Sequence, residues 1–269
     1  MKSSTLLLCF LLVSNTHGQI QIVDTAPGTN QVVLFGTYAQ NFDSLTGTGL
    51  SMPWTDNVTL PGWYTTEQVI GAGFVGGVDS WGPTDWQGDR ALGAAGTIST
   101  SSLIAVSFKN LTSTTLTRAS VAFDGEQWYR QAGNPQKPSS LLFAYQIFEA
   151  GTGAIYKDVN IGWTFVPALD FTSPNATFNA AANLDGNDPA NSARGINASF
   201  VNFTLAPGQE LWLSWGSYFE LGVPIHGLGI DNLSVSFASS IPEPASYASI
   251  AGGLILGFAA LRRRRTACG

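Results

Sequence analysis

Residues 201–215 read Val-Asn-Phe-Thr-Leu-Ala-Pro-Gly-Gln-Glu-Leu-Trp-Leu-Ser-Trp, and this stretch decides the fold class. Apolar residues stand at alternate positions on both sides of a central Pro-Gly pair: Val201, Phe203, Leu205, Leu211, Leu213 and Trp215. A period of two places such side chains on one face of a β-strand, and Pro207-Gly208 is a turn signal. We therefore expect two strands joined as a hairpin.

The same alternation recurs between clusters of Gly, Pro, Asn and Asp, at Ile104, Val106 and Phe108, and at Leu141, Phe143, Tyr145 and Ile147. No segment keeps an apolar period of 3.6 residues over three turns. Short strands separated by turn residues are typical of an all-β sandwich. We expect residues 19–240 to form one such domain of about ten to twelve strands.

Residues 119–128, Ala-Ser-Val-Ala-Phe-Asp-Gly-Glu-Gln-Trp, allow two structures. Asp124-Gly125 is a turn signal that would end the strand there. Alternatively, one strand continues through Trp128 with a bulge at the glycine.

Two carboxylates in this stretch are candidates for catalysis. Asp124 and Glu126 stand two residues apart, so on a strand they share one face, and glycosidases place two carboxylates across a substrate. The residues do not match the Glu-x-Asp-x-x-Glu arrangement of concanavalin-like glucanases. The alternative is structural, with Glu126 paired to Arg130 or Arg90 and Trp128 packed in the core.

Residues 1–18 have the features of a secretory signal peptide. Lys2 precedes the apolar run 6–13, and small or polar residues follow as far as Gly18. The run is too short to span a bilayer. We expect cleavage after Gly18 and export of the rest of the chain.

Residues 241–269 contain a second apolar segment. Residues 245–261 carry no charge and would form a helix about 25 Å long, near the length that spans a bilayer. Pro242 and Pro244 precede it, and it ends in a basic cluster: Arg262, Arg263, Arg264 and Arg265. An excess of basic residues marks the cytoplasmic side, so residues 19–240 are expected on the other side. The alternative is a buried core helix with a basic terminus.

The order Pro242-Glu243-Pro244, apolar segment and arginine cluster resembles the PEP-CTERM sorting signal of exported Gram-negative bacterial proteins. The resemblance implies an inner-membrane anchor with a periplasmic body, recognition by the membrane protease-transpeptidase exosortase, and cleavage near Pro-Glu-Pro. It also implies a final place at the cell surface or in an extracellular matrix, with extracellular polysaccharide as a partner.

The body resembles a group of exported bacterial proteins of concanavalin-like sandwich type. The resemblance lies in residues 89–93 (Asp-Arg-Ala-Leu-Gly), 125–128 (Gly-Glu-Gln-Trp) and 169–171 (Leu-Asp-Phe). It implies a jelly-roll or concanavalin-like sandwich and supplies no activity.

The composition of residues 19–240 excludes several functions. Cys9 and Cys268 both lie outside this span, so we expect no disulfide. Seven Lys or Arg against seventeen Asp or Glu make the span acidic, which argues against nucleic acid as a partner. Its one histidine, His226, would have to serve any Ser-His-Asp triad, and no Gly-x-Ser-x-Gly motif is present. With no cysteine and one histidine, this span is not expected to bind zinc. A calcium site is still allowed, because calcium needs only oxygen ligands.

Two acidic loops are candidates for binding calcium. The first packs three side-chain oxygen donors into four positions: Asp185, Asn187 and Asp188. The second is set among Gly and Trp residues: Asp79, Asp85 and Asp89. The alternative for the first loop is an Asx turn between two strands.

Four tryptophans crowd a loop-rich stretch: Trp54, Trp63, Trp81 and Trp86. Exposed aromatic rings stack on sugar faces, so these residues are candidates for a glycan-binding site. The alternative is that they fill the core.

The sequence thus favours an exported, exosortase-sorted protein with a non-enzymatic structural or binding β-sandwich. The alternatives are a glycan-binding module that uses the loop tryptophans and a carbohydrate-active enzyme that uses Glu126 and Asp124.

Overall fold

The computed structural model describes residues 20–23, 32–45, 51–71, 77–83, 88–95, 101–132, 137–150, 152, 162–177, 180–200, 203–217 and 223–240. Within these ranges the chain forms sixteen β-strands and one short 3-10 helix, Pro167–Leu169. The strands belong to two sheets.

The smaller sheet contains β1 (Ile20–Ile22), β4 (Trp63–Thr65), β8 (Ser102–Asn110), β10 (Ser140–Phe148), β11 (Thr164–Phe165), β12 (Phe171–Thr172) and β15 (Glu210–Ser217). Its strand order is β1-β8-β15-β10-β11, with β4 also paired to β8 and β12 to β10. Strand β15 pairs antiparallel with β8 and β10 along its whole length, and all of its residues are buried.

The larger sheet contains β2 (Val32–Gln40), β3 (Ser51–Pro53), β5 (Val69–Gly71), β6 (Gly77–Trp81), β7 (Ala91–Ala95), β9 (Arg118–Arg130), β13 (Ala182–Asn183), β14 (Ser192–Phe200) and β16 (Gly227–Ser240). Its strand order is β13-β9-β16-β7-β6-β5-β3, with β14 also paired to β9 and β2 to β16. Strand β16 therefore joins β9, β7 and β2.

An aromatic core joins the two sheets. Trp215 of β15 meets Phe123 of β9 edge to face, with 5.6 Å between the ring centroids. Phe108 of β8 meets Phe237 of β16 at 5.3 Å. Because each pair takes one ring from each sheet, the inner faces pack on each other as in a sandwich. The prediction of an all-β sandwich is confirmed.

The predicted hairpin across Pro207-Gly208 is wrong. Strand β15 lies in the smaller sheet, whereas β14, the strand that precedes the turn, lies in the larger sheet beside β9. Between them, Leu205 forms an isolated antiparallel bridge with Leu116, and Val201 lies outside the described residues. Alternation fixes which side chains face the core but does not identify the partner strand, and here the chain changes sheets.

Strand β9 runs without a break through Asp124-Gly125, so the alternative of one continuous strand is confirmed. A Cβ added to Gly125 would lie 2.4 Å from the Phe171 ring, so the glycine permits close packing and does not form a turn. Near Asp124 the bulges lie on the two strands that flank β9: at Arg194-Gly195 on β14 and at Asn232 on β16. Farther along, a register shift opposite Gly227 and Leu228 leaves the extra residue on β9 itself, at Trp128.

Within the described ranges, no helix has the length and apolar character needed to cross a membrane. Both predicted targeting segments lie outside the described residues: the signal peptide (1–18) and the PEP-CTERM segment (241–269), which includes Pro242, Glu243, Pro244 and Arg262, Arg263, Arg264 and Arg265. The resemblance to PEP-CTERM proteins stays a prediction.

Candidate functional site

The tryptophans predicted to form a glycan-binding surface are buried where the structure describes them. Trp54, Trp63 and Trp81 are at most 4% exposed, and Trp86 lies outside the described residues. Trp63 donates its indole N–H to the Tyr38 hydroxyl at 2.8 Å. A buried ring presents no face to a sugar, so the predicted site is wrong for these three residues. They fill the protein interior, as the alternative held.

Asp124 and Glu126 share one face of β9, as the strand period predicts, and both contact one guanidinium group. Arg194 Nη1 lies 3.2 Å from Asp124 Oδ2 and 2.9 Å from Glu126 Oε1. Trp128 Nε1 donates to Glu126 Oε2 at 3.0 Å. The Glu126 side chain is 0% exposed, so both of its oxygens face protein donors and not solvent.

Arg194 takes the place that the sequence assigned to Arg130 or Arg90. Arg130 instead donates to the side chain of Asn175 at 2.9 Å, and Arg90 is buried just before β7. Among the described residues, the side-chain contacts of Glu126 are with Arg194 and Trp128, so the arginine that pairs with it is not the one predicted. A bulge on a neighbouring strand supplies the cation, and nothing next to Glu126 in sequence indicates it.

Asp124 holds both bulges that flank β9. Gly195, at φ +67° on the β14 bulge, donates its N–H to Asp124 Oδ1 at 2.7 Å. Asn232, at φ +50° on the β16 bulge, donates its side-chain amide to Asp124 Oδ2 at 3.1 Å. The Asp124 carboxylate therefore accepts hydrogen bonds from the strands on both sides of β9. One of these bonds stabilises the β14 bulge, and the same bulge positions Arg194 beside Glu126.

Three carboxylates meet on the outer face of the larger sheet. Glu126 lies on β9, Asp231 on the adjacent β16, and Asp89 just before β7, the next strand in the order. One oxygen of each lies within 4.8 Å of the others. Gly229 stands opposite Glu126 across the two strands, so no side chain separates the acidic groups at that position. We call Asp89, Glu126 and Asp231 the acidic trio.

Burial changes the acidity of two members of the acidic trio. Burial, together with the charge of Asp231, raises the pKa of Glu126 to about 7, while Trp128 and Arg194 oppose the shift. Burial likewise raises the pKa of Asp231 to about 7, with a contribution from Asp89. Carboxylates held this close in a buried site do not all ionise without a compensating cation. At pH 7 the acidic trio therefore carries less negative charge than three free carboxylates would.

The first loop predicted to bind calcium forms two Asx turns. Asp185 Oδ1 accepts the N–H of Asn187 at 3.0 Å, and Asp188 Oδ1 accepts the N–H of Ala190 at 2.8 Å. The side-chain oxygen of Asn187 accepts from Arg194 Nη2 at 3.2 Å. These oxygens face backbone N–H groups and a guanidinium group and do not converge on one centre. The loop thus has the structure of the alternative, an Asx turn.

The second predicted acidic group is divided. Asp79 is buried on β6, Asp85 lies outside the described residues, and Asp89 joins the acidic trio. Sequence analysis missed Asp231 altogether. The available signal was a carboxylate within the apolar run 230–237, where a buried strand was already expected.

His226 is buried just before β16, and both ring nitrogens contact backbone groups. Nδ1 accepts the N–H of Gln131 at 3.2 Å, which places the proton on Nε2, 3.3 Å from the Lys137 carbonyl oxygen. Burial lowers the pKa of His226 below its ordinary value. A ring held in this way has no free nitrogen to take a proton from a serine, so it does not have the geometry of a catalytic triad.

Comparisons with protein-family models and with curated proteins give no match. Solved structures that are similar include the CBM22-1 xylan-binding domain of Xyn10C from Paenibacillus barcinonensis, with 12% identity over 74% of this chain and 92% of that one and a TM-score of 0.33. The K3 cleaved adhesin domain of Lys-gingipain from Porphyromonas gingivalis shows 10% identity over 76% and 98%, with a TM-score of 0.37. Peanut lectin shows 10% identity over 77% and 100%, with a TM-score of 0.33.

These similar proteins include domains described as xylan-binding, adhesin and lectin. At such identities and TM-scores the likeness carries no argument about what this chain binds.

Proposed function

We propose that the chain is an exported β-sandwich protein that acts at the cell surface or in an extracellular matrix as a structural or binding module without catalytic activity. The observation that carries this proposal is the burial of Glu126. Its oxygens accept hydrogen bonds from Trp128 and Arg194, and a general acid or base needs access to the substrate proton. Its partner Asp124 is engaged by two β-bulges.

The place of action rests on the two ends of the chain. An N-terminal segment with secretory features and a C-terminal order of Pro-Glu-Pro, apolar run and arginines support export, an inner-membrane anchor and sorting by an exosortase. The excess of acidic residues in 19–240 disfavours nucleic acid as a partner. A jelly-roll or concanavalin-like topology of the sandwich is part of the same proposal.

Two measurements test the proposal in a Gram-negative host. Mass spectrometry of the mature protein is expected to find a C-terminus near residue 244, and an intact 262–265 segment would contradict sorting by cleavage. The full-length chain, incubated with a panel of polysaccharides, is expected to release no reducing sugar. Release of sugar by the wild type that is lost in Glu126→Gln would overturn the non-catalytic assignment.

A glycan-binding surface is a second candidate, and one observation favours it. Among the described residues, Trp163 is the tryptophan that is not buried, and Phe165, two positions on, is 48% exposed. Trp163 stands just before the edge strand β11 (Thr164–Phe165) and meets Phe148 edge to face, with 6.5 Å between the ring centroids. The part of Trp163 that remains exposed, together with the Phe165 ring, is the surface on which a sugar can stack. The surface lies at the edge strand β11 and not at the predicted tryptophans.

Co-sedimentation of the full-length chain with insoluble polysaccharides tests this candidate. Trp163→Ala is expected to abolish binding, because stacking on its ring supplies the contact. Val58→Ala is the matched control, since Val58 is also an exposed apolar residue and lies outside β11. Equal binding by the wild type and both variants would place the sugar elsewhere.

A further inference from the structure

The acidic trio joins three parts of the chain that are distant in sequence. Asp89, Glu126 and Asp231 come from β7, β9 and β16 or their immediate neighbours, and their oxygens lie within 4.8 Å of one another. Two oxygens bound on opposite sides of one Ca²⁺ ion lie about 4.8 Å apart, since each Ca–O distance is about 2.4 Å. The spacing of the trio therefore matches the span of one ion.

A second observation points to a ligand at this position. Asp231 is 1% exposed, and its Oδ1 has no hydrogen-bond donor. A buried acceptor without a partner is destabilising, and more so when it is charged. Glu126 is also fully buried, but its oxygens already accept from Trp128 and Arg194. Asp231 is thus a buried member of the acidic trio whose Oδ1 has no hydrogen-bond donor.

The donor set selects the kind of ion. All three ligands are carboxylate oxygens, which favour hard cations over zinc or copper. Each carboxylate oxygen has two acceptor sites, so Glu126 can bind an ion while it keeps its bonds to Trp128 and Arg194. Asp89 is the partly exposed member of the trio, so water can complete the coordination on that side. Ligands from three separate elements make an irregular site, which calcium tolerates and magnesium does not.

We propose that Asp89, Glu126 and Asp231 bind one Ca²⁺ ion, which ties β7, β9 and β16 together on the outer face of the larger sheet. The ion supplies the partner that Asp231 Oδ1 lacks and neutralises the repulsion within the acidic trio. It occupies a different place from the loop at Asp185, Asn187 and Asp188. The inference does not depend on the proposed function.

Terbium luminescence on the full-length chain, purified in detergent and treated with EGTA, tests the proposal. Trp128 donates directly to Glu126, so excitation of tryptophan is expected to give Tb³⁺ emission that saturates at one ion per chain. Added Ca²⁺ is expected to displace the signal, and Mg²⁺ at the same concentration is not. Ca²⁺ is also expected to raise the Tm relative to EGTA. Absence of saturable emission, or equal effects of Mg²⁺ and Ca²⁺, would overturn the assignment.

Three substitutions locate the ion. Asp231→Asn and Asp89→Asn are each expected to weaken Ca²⁺ binding more than about tenfold, since loss of an outer-shell partner alone costs that much. Asp188→Asn is the matched control, because it removes a carboxylate from the other acidic loop and an asparagine still forms the Asx turn. It is expected to bind Ca²⁺ as the wild type does. Loss of binding in Asp188→Asn but not in Asp89→Asn would refute the site.

The Tm measured with and without Ca²⁺ shows whether Asp231 binds the ion or only supports the fold. In EGTA, Asp231→Asn is expected to have a Tm no lower than that of the wild type, because it removes the charge of a buried carboxylate whose Oδ1 has no donor. In Ca²⁺ its Tm is expected to fall below that of the wild type. An equal decrease of Tm in both conditions would mean that Asp231 supports the fold without binding the ion.

Discussion

Replacement of Asp124 tests whether one carboxylate holds the two bulges beside β9. In Asp124→Ala, the N–H of Gly195, the side-chain amide of Asn232 and the guanidinium group of Arg194 all lose an acceptor. A hydrogen bond to a charged acceptor contributes about 1.5 kcal/mol at the lower end of its range. The amide bond adds about 1 kcal/mol, and the ion pair with Arg194, which is 43% exposed, adds about 0.5 kcal/mol. The expected loss in the free energy of unfolding is about 3 kcal/mol.

Asp124→Asn separates geometry from charge. Its side-chain oxygen can still accept the Gly195 N–H, but the amide NH2 that replaces Oδ2 cannot accept from Asn232 or Arg194. The expected decrease in the free energy of unfolding is therefore about 1.5 kcal/mol. Urea unfolding followed by tryptophan fluorescence measures both variants, in EGTA and again in Ca²⁺, so that bound ion does not confuse the comparison. Asp188→Ala is the control, since Asp188 accepts one backbone N–H in an exposed turn and is expected to cost about 1 kcal/mol or less.

Two results would refute this reasoning. A loss below about 1 kcal/mol in Asp124→Ala would mean that the bulges do not depend on the carboxylate. Equal losses in Asp124→Ala and Asp124→Asn would mean that the negative charge, and not the position of the acceptor, stabilises the strands.

Two further predictions concern the strands and the buried histidine. In Gly93→Ala the new Cβ would collide with the backbone carbonyl oxygen of Leu228. Since backbone cannot move aside as a side chain can, β7 and β16 must separate. Urea unfolding is expected to show a decrease of about 3 kcal/mol in the free energy of unfolding. Gly208→Ala is the control, because its Cβ would meet nothing within 4 Å and only the φ of +87° is unfavourable. It is expected to lower the free energy of unfolding by about 1 kcal/mol. A larger decrease in Gly208→Ala than in Gly93→Ala would contradict the effect of packing. Burial lowers the pKa of His226 from its ordinary value of 6.5, so below pH 6.5 the unfolded chain binds a proton that the folded chain does not. The free energy of unfolding is therefore expected to decrease more steeply below pH 6.5 in the wild type than in His226→Gln, and a constant difference between the two pH profiles would show that the histidine does not titrate.

The strands were predictable because their signal is local. Ile104, Val106 and Phe108 alternate in the sequence and all three are buried in β8. Leu141 and Phe143 are likewise buried in β10. A side chain on every second residue reports its own face of a sheet, so burial follows from the chain one strand at a time. The number of strands was underestimated, because strands of two or three residues leave no period to detect.

Strand partners and the acidic trio were not predictable, because they depend on residues far apart. The alternation around Pro207-Gly208 fits a hairpin as well as it fits a change of sheet. Glu126 was singled out, but its contacts with Arg194 and Asp231 exist only because β14 and β16 flank β9. The role of Gly125 was ambiguous for the same reason, since the ring that requires a glycine belongs to Phe171.

The position of β16 at the end of the described chain has a consequence for how the protein is made. This strand joins β9, β7 and β2, and the last of these pairs with it through residues 32–40. A ribosome delivers the N-terminus first, at roughly 5–20 residues per second. Strand β9 also pairs with β13 and β14, and β7 with β6, but among the described strands β16 is what connects these two groups and β2 to one another. The larger sheet therefore closes only after residues 227–240 have been synthesised.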